Sequence, residues 1–451
     1  MTSQSLRSAI EWLDQRISDE QGIGPELFAR LFAAQRELGL VHGDRPYCPF
    51  LRPYLLTRSR YAEIARAAET LAMAFERLAA GALADDALLE LLGLTEREER
   101  MARIDPGYSR LCVTSRLDAF LSDEGFKFLE YNAESPAGLV DQIQIEKTIF
   151  GLPHMREFLD QYPHWLPRPH ERLLTALLEA YKEWGGAEEL PHIAIVDWEG
   201  VSTASEFYVL KEFFEGEGYP TVVAAPRELA YDGEHLTARD FRVDIFYKRV
   251  IIHEFLQRHD ETHPLVRAYA DGKVCMANSF RTKVAHKKAG FAILSDPRYE
   301  YLFDAEQLEL IRRHIPWTRV VREGRTTFSD GEDDLLDLIR RERERLVLKP
   351  NDDYGGGGVR IGWETSPDEW EQAIKHALLS PYVVQERAPV QKVSLPMFDA
   401  MKMSREEMLV DFDPFLFLNR VEGGLVRLSA SSLCNVSSGG GETALLVLED
   451  T

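Results

Sequence analysis

The stretch from Leu346 to Gly362, LVLKPNDDYGGGGVRIG, constrains this chain more than any other. Leu346, Val347 and Leu348 read as a short buried strand closed by Lys349-Pro350, and Asn351, Asp352 and Asp353 are turn formers. Gly355, Gly356, Gly357 and Gly358 follow, then a second β-rich piece from Val359 to Gly362. The pattern predicts a hairpin whose tip has no side chains to shield its backbone amides. Such a tip can lie against phosphate oxygens and donate hydrogen bonds to them. Lys349, ending the entering strand, sets a cation beside the same ligand. No Gly-Lys-Ser/Thr follows, and the next element is a strand, so this is not a Walker loop. Taken alone, the same residues also describe a mobile surface hairpin without a ligand.

A second pattern starts at Leu111. Strands at 111–120 and 126–132 flank the turn formers Asp123, Glu124 and Gly125, which predicts a hairpin. Side chains two apart in a strand share a face, so Arg116 goes with Asp118 and Glu130 with Asn132. Pairing the strands brings the four to one patch. Two carboxylates and an amide oxygen are hard ligands suited to Mg²⁺, which keeps waters and substrate phosphates as its other ligands. Arg116 cannot be a ligand and would face charge on a phosphoryl group. A surface ladder of ion pairs accounts for the patch equally well.

The remaining chain supplies the frame. The first hundred residues read as helical: Tyr61, Ile64, Ala68, Leu71, Phe75 and Leu78 form one apolar face, with Gly81 as a stop. The proline-rich connector from Arg45 to Pro53 cannot be helix. From His192, HIAIVD, a helix capped by a Thr203–Glu206 box, TVVAA and DIFYKRV read as a Rossmann-like layer. It lacks Gly-x-Gly-x-x-Gly, which argues against a dinucleotide. The His253–His263 cluster of histidines and acids reads as a solvated helix end. Lys283, Lys287 and Lys288 precede an apolar run, with a helix expected over about 284–294, and either snorkel or form a second phosphate clamp. After a helix from Pro367 to Leu379, the strand YVVQERAPV ends in Gln385-Glu386, which offers backbone to an adenine edge and a carboxylate to ribose. The last fifty residues read as a hairpin turning at Gly423-Gly424 and a small-residue loop from Ser437 to Gly441, with Arg427 and Asn435 as ligand contacts.

Composition narrows the partners. The 451 residues leave room for two or three interlocking domains, and 45% hydrophobic with 28% charged residues is ordinary for a chain with a sizeable core. A net charge of −22 argues against nucleic acid and anionic membranes, both of which need basic patches. Four scattered cysteines imply reduced thiols. The first residues hold no apolar core of signal-peptide length, and the expectation is a cytoplasmic protein acting on small molecules, with a homo-oligomer left open.

Together these residues resemble the ATP-grasp ligases, specifically the circularly permuted branch of glutathionylspermidine synthase and eukaryotic-type glutathione synthetase. The carriers are Arg116-x-Asp118, then Glu130-x-Asn132 and Ser135-Pro136-Ala137-Gly138, with Lys349-Pro350 and its glycine loop, Lys288-Ala289, and Val383-Val384-Gln385-Glu386. The likeness runs from about residue 105 to the end. One departure is Asp352-Asp353-Tyr354 where the family's lid commonly has Arg-Glu, and no amidase segment is visible.

The resemblance implies an α/β, permuted ATP-grasp fold. Its parts would be a helical region at 1–105, a metal-site hairpin with helices at 106–190, a Rossmann-like domain at 191–275, and a nucleotide-binding region at 276–451 with its lid at 340–395. It implies an ADP-forming carboxylate–amine ligase using ATP and Mg²⁺. Asp118, Glu130 and Asn132 would hold the metal and Arg116 would steady the transferring group. Lys288 and Lys349 would bind the phosphates, with Lys283 or Lys287 able to replace Lys288; Gly355 to Gly358 would exclude water, and Gln385 and Glu386 would line the nucleoside. A small-molecule kinase on the same site, or a non-catalytic ATP-binding regulator, are the alternatives.

Overall fold

A computed structural model describes residues 3–19, 23–123, 125–329, 331–353, 355–399, 402–432, 434 and 439–450. Three sheets position the site. One is parallel, in the order Cys275–Ala277, Ile245–Lys248, Ile193–Val196, Thr221–Ala224. Both faces of its central strands are buried. Ile193 and Ile195 pack with Leu173, Leu177 and Phe207, whereas Ala194 and Val196 pack with Phe255 and Leu265 on the opposite side. Helices on both faces explain why these strands are apolar throughout. This is the Rossmann-like layer read from the sequence.

The glycine-loop strand Leu346–Pro350 lies inside a second, antiparallel sheet. Its order is Thr318–Val320, Tyr382–Glu386, Leu346–Pro350, Arg360–Ile361. Leu346, Leu348 and Val384 bury against Trp370 and Ile374 of the helix Pro367–Ala377. A Ser366–Glu369 capping box starts that helix, each side chain satisfying the other's backbone amide.

The third sheet joins distant parts of the chain. Its path runs Gly125–Asn132, Thr114–Ser122, Lys402–Phe417, Arg420–Ser429, Gly441–Thr443, with Lys392–Asp399 also paired to Lys402–Phe417. The 114–132 hairpin therefore shares a sheet with strands near the other end of the sequence. Tyr54–Thr57 pairs in parallel with Leu445–Leu448, which ties the early helices to the same body.

Several local expectations change in the structure. The helix Arg58–Ala84 runs through Gly81, where a Cβ would meet the Leu302 side chain at 3.1 Å, so this glycine serves packing and not termination. Thr203 makes no side-chain cap, because Glu206 turns inward to lie 3.5 Å from buried Arg249. The helix expected at 284–294 is two pieces, Lys283–His286 and Ala289–Leu294, broken at Lys287-Lys288. The last hairpin turns at Leu418-Asn419, both with positive φ (49° and 64°), and not at Gly423-Gly424. Gly424 instead sits within the strand, where a Cβ would fall 2.5 Å from the Phe412 ring. Lys392–Asp399 is a strand that the sequence reading lacked.

Candidate active site

The period-two rule holds on the 114–132 hairpin. Arg116 pairs across from Asn132, and Asp118 across from Glu130, with a bulge just after Asp118. Asp118 accepts from Arg116 Nε at 2.8 Å and Nη2 at 3.0 Å, and from Asn132 Nδ2 at 3.0 Å. The neighbouring strands add a second guanidinium: Arg427 Nη2 lies 2.6 Å from Asp118, 2.6 Å from Asp411 and 2.9 Å from Asp413. Burial pushes the Asp118 carboxyl up, but the Arg116 and Arg427 charges outweigh it and hold the group at about 2. Burial wins instead at Asp413, whose carboxyl is raised despite Arg427. The acids here are thus unequal. Asp118 stays ionised, with both of its oxygens engaged by Arg116, Arg427 and Asn132, while Asp413 holds a proton more readily.

Facing this patch is the glycine loop. Lys349 Nζ donates to Gln385 Oε1 at 2.7 Å and to the Leu129 carbonyl at 3.3 Å. Burial, with help from the Lys288 charge and against Glu130, lowers its ammonium to about 8. Lys288 Nζ is 3.0 Å from Glu130 and donates to the Asp353 carbonyl at 2.6 Å. Gly355 and Gly356 have φ of 65° and 76°, a backbone that side chains with a Cβ resist. Gly358 is needed for closeness as well, since a Cβ there would lie 2.6 Å from the Pro350 ring.

Residues of both parts line one cavity of about 420 Å³, with Lys288 bridging them through its 3.0 Å contact to Glu130. Asp118, Glu130, Lys288, Lys349, Gly355, Gly356, Gly357, Gln385 and Glu386 all line it. Three expected residues do not. Gly358 packs on Pro350, Asn132 gives its amide to Asp118, and Arg116 turns onto Asp118 and the Ala137 carbonyl at 2.7 Å. Gln385 and Glu386, expected to line a nucleoside, are at the cavity but engaged within the protein, Gln385 accepting from Lys349. The Glu386 amide donates to the Trp317 carbonyl at 2.8 Å and its carboxylate pairs with Arg345 at 2.7 Å, so neither is free for a base or a ribose as the structure stands.

Of the three lysines, Lys288 alone lines the cavity; Lys283 and Lys287 both bind Asp352, at 2.6 Å. Asp411, Arg427, Trp363 and Arg387 also line the cavity, the last two stacked with the guanidinium 4.1 Å from the ring centroid. The sequence did carry a signal for Asp411 and Asp413, two acids one strand repeat apart in an otherwise apolar run. Asn435 and part of the 437–441 loop lie outside the described residues.

Comparison with known proteins supports the fold. A glutathione synthetase-like effector from Globodera pallida, solved in its apo form, superposes over 94% of this chain and 96% of its own, with a TM-score of 0.59 at 13% identity. The fold is the α/β ATP-grasp fold. A candidate glutamate–cysteine ligase 2-2 of Frankia casuarinae is 25% identical over 344 residues, or 71% of this chain. The match covers 36% of that protein, so the chain spans about a third of its length. No family model matches. Among the described residues, no helix is long and apolar enough to cross a membrane.

Proposed function

We propose that this chain is an ATP- and Mg²⁺-dependent carboxylate–amine ligase that works through an acyl phosphate. The carrying observation is one cavity lined together by Lys288, Lys349, Gly355 to Gly357, Asp118 and Glu130, with Lys288 3.0 Å from Glu130. The names of the Frankia and Globodera proteins support the same class. The hairpin at 114–132 precedes the lid in sequence yet shares a sheet with strands that follow it, and we read this order as a circular permutation.

In the proposed reaction an oxygen of the substrate carboxylate attacks the γ-phosphorus, and the bond from that phosphorus to the bridging oxygen of ADP breaks. The amine nitrogen then attacks the acyl carbon, the carbon–oxygen bond to phosphate breaks, and the nitrogen loses a proton. Lys288, Lys349 and the amides of Gly355 to Gly357 hold the phosphates of ATP. Asp118 and Glu130 suit Mg²⁺ as a donor set, being two carboxylates on one wall of the cavity. The metal, when bound, neutralises charge on the phosphate oxygens. Arg427 sits where it can meet the transferring group, and Arg116 keeps Asp118 ionised and oriented. The glycine loop would keep water from the acyl phosphate.

The resemblance to glutathionylspermidine synthase points to a peptide carboxylate and a cationic amine. Glu442 lies across from Arg427 in the sheet, and burial pushes its carboxyl up to about 7 against the pull of Arg427 and Arg116. Asp141 is raised by burial and by Glu442 and Glu206. Neither acid lines the cavity, and the choice of a cationic amine rests on the resemblance alone. The test is ADP release over a panel of acids crossed with amines, with hydroxylamine added. A ligase gives a hydroxamate with its own acid; a stable phosphorylated product would establish the kinase, and ATP binding without turnover the regulator.

A further inference from the structure

Asp352 stands between Pro350 and Asp353, which line the cavity, and its own carboxylate is held by Lys283 and Lys287. Asp353 and Gly355 line the cavity, whereas the two carboxylate oxygens of Asp352 each lie 2.6 Å from a lysine, Oδ1 from Lys283 and Oδ2 from Lys287. Neither lysine is spent on Asp352 alone. Lys283 Nζ also reaches Glu134 at 2.6 Å, on the segment that follows the Asp118–Glu130 hairpin. Lys287 Nζ reaches Glu98 at 3.0 Å, on the helix Glu96–Ala102. His253 and His286 approach the same carboxylate at 3.9 and 3.8 Å. Lys283 is fully buried, and Lys287, Glu98 and Glu134 nearly so.

The residues beside Asp352 are fastened to the same helical turn. The Lys288 amide donates to the Asn351 carbonyl at 3.0 Å, and the Ala289 amide to Asn351 Oδ1 at 2.8 Å. Asn351 Nδ2 in turn donates to the Leu92 carbonyl at 2.8 Å. The root of the glycine loop is therefore held by side chain and backbone, while the glycines beyond it carry no side chains to hold them. Removing ammonium and carboxylate groups from water is costly, and loss of one partner leaves the others buried and unpaired, so the network resists rearrangement. Here it fixes the loop root against Glu134, on the segment that leaves the strand bearing Glu130. This also explains the break between the two short helices: Lys287 and Lys288 are adjacent but point to opposite sides of residues 352–353.

We infer that Asp352 is a positioning residue, locked by Lys283 and Lys287, that sets the register of the glycine loop over the phosphates of ATP without touching the nucleotide. The inference rests on the ATP site proposed above. It makes Lys283 and Lys287 parts of the lid mechanism and not spare phosphate ligands.

The test uses the full chain with Asp352→Asn, which keeps shape and removes charge, and Lys287→Met, which removes the same contact from the other side. Mg-ATP affinity and protease cleavage at 355–358 are measured together. Wild type should bind Mg-ATP and become protected. Each variant should bind at least about tenfold more weakly, the effect of losing one charged hydrogen bond, and should stay cleavable at saturating Mg-ATP. The double variant should be no worse than Asp352→Asn, because the pair acts as one unit. A lowered melting temperature with wild-type affinity and protection would overturn the inference. If Asp352→Asn does not fold, Lys287→Met decides by the same criteria. If wild type itself neither binds ATP nor gains protection, the ATP-site reading fails. The positioning role is then read from nucleotide-free cleavage, which a loosened root accelerates and which equal rates would refute.

Discussion

Arg427 and Asp118 lie 2.6 Å apart although 309 residues separate them in sequence. The contact crosses two strand boundaries: Asp118 belongs to Thr114–Ser122, Arg427 to Arg420–Ser429, and Lys402–Phe417 runs between them. Asp411, on that middle strand, pairs directly across from Arg427. One guanidinium thus serves acids from two strands, and burial makes each of those contacts stronger than it would be in water. The arrangement leaves Asp118 ionised before any metal is present.

Arg427→Met should therefore lower turnover by about a hundredfold, the order seen when one transition-state electrostatic contact is lost. It also leaves Asp411 buried beside Asp118 without its cation, and Asp413 with Arg116 alone at 3.8 Å. Asp411→Asn in the Arg427→Met background should recover thermal stability without recovering rate. Steady-state kinetics and melting curves on the two variants check this, and full activity in Arg427→Met would remove the residue from the reaction.

Lys349 predicts a pH dependence. Its ammonium is lowered to about 8 by burial, with Lys288 adding to the shift and Glu130 opposing it. The charged form binds phosphate and predominates below that value. ATP affinity should be level under pH 7 and weaken as pH climbs through 8, by up to about tenfold per unit for a single linked proton. Lys349→Met should bind ATP weakly with that dependence gone. Calorimetric titrations between pH 6.5 and 9.5 measure both.

What the sequence disclosed follows from which geometry a local pattern can fix. Strand periodicity alone puts Arg116 with Asp118 and Glu130 with Asn132, and the glycine run announces the loop, so both walls of the cavity were legible. Which lysine enters the cavity was not. A continuous helix over 284–294 gives no means of choosing, and the choice is made by the break at Lys287-Lys288 and by Asp352. Arg427 was legible as a contact, but its pairing with Asp118 and Asp411 needed the register of the last hairpin, which turns at Leu418-Asn419 where no glycine marks it. Gly423-Gly424 was the stronger local signal, but its glycines answer to Pro167 and Phe412, contacts made only in the folded chain.

Gly424 gives a stability prediction. A Cβ at this position would lie 2.5 Å from the Phe412 ring and 3.1 Å from the Asp413 carbonyl, with no positive φ involved. Gly424→Ala should cost about 1–3 kcal/mol, as overpacking of a filled core does. Gly331→Ala, with nothing within 4 Å of the new carbon, should be close to neutral. Denaturant unfolding of the two proteins compares them directly. Because the clash falls beside Asp413, Gly424→Ala should also slow turnover.

The last prediction separates the metal ligands from the residues that hold them. Asp118 and Glu130 line the cavity as carboxylates, whereas Asn132 donates its amide to Asp118 and lies off the wall. Charge on the γ-oxygens grows in the transition state, so groups that bind the metal should affect rate more than ground-state ATP affinity. Asp118→Asn and Glu130→Gln keep size and each remove one negative charge. Each should lower turnover by at least about a hundredfold while ATP affinity falls less. If Asn132 only orients Asp118, Asn132→Ala should lose less than either, and raising Mg²⁺ should recover part of its rate by refilling the site. If Asn132 is itself a ligand, its loss should match that of Glu130→Gln at every Mg²⁺ concentration. Turnover of the three variants against Mg²⁺, at saturating ATP, gives the answer. Wild-type rates for Asp118→Asn and Glu130→Gln would show that the carboxylate wall does not hold the catalytic metal.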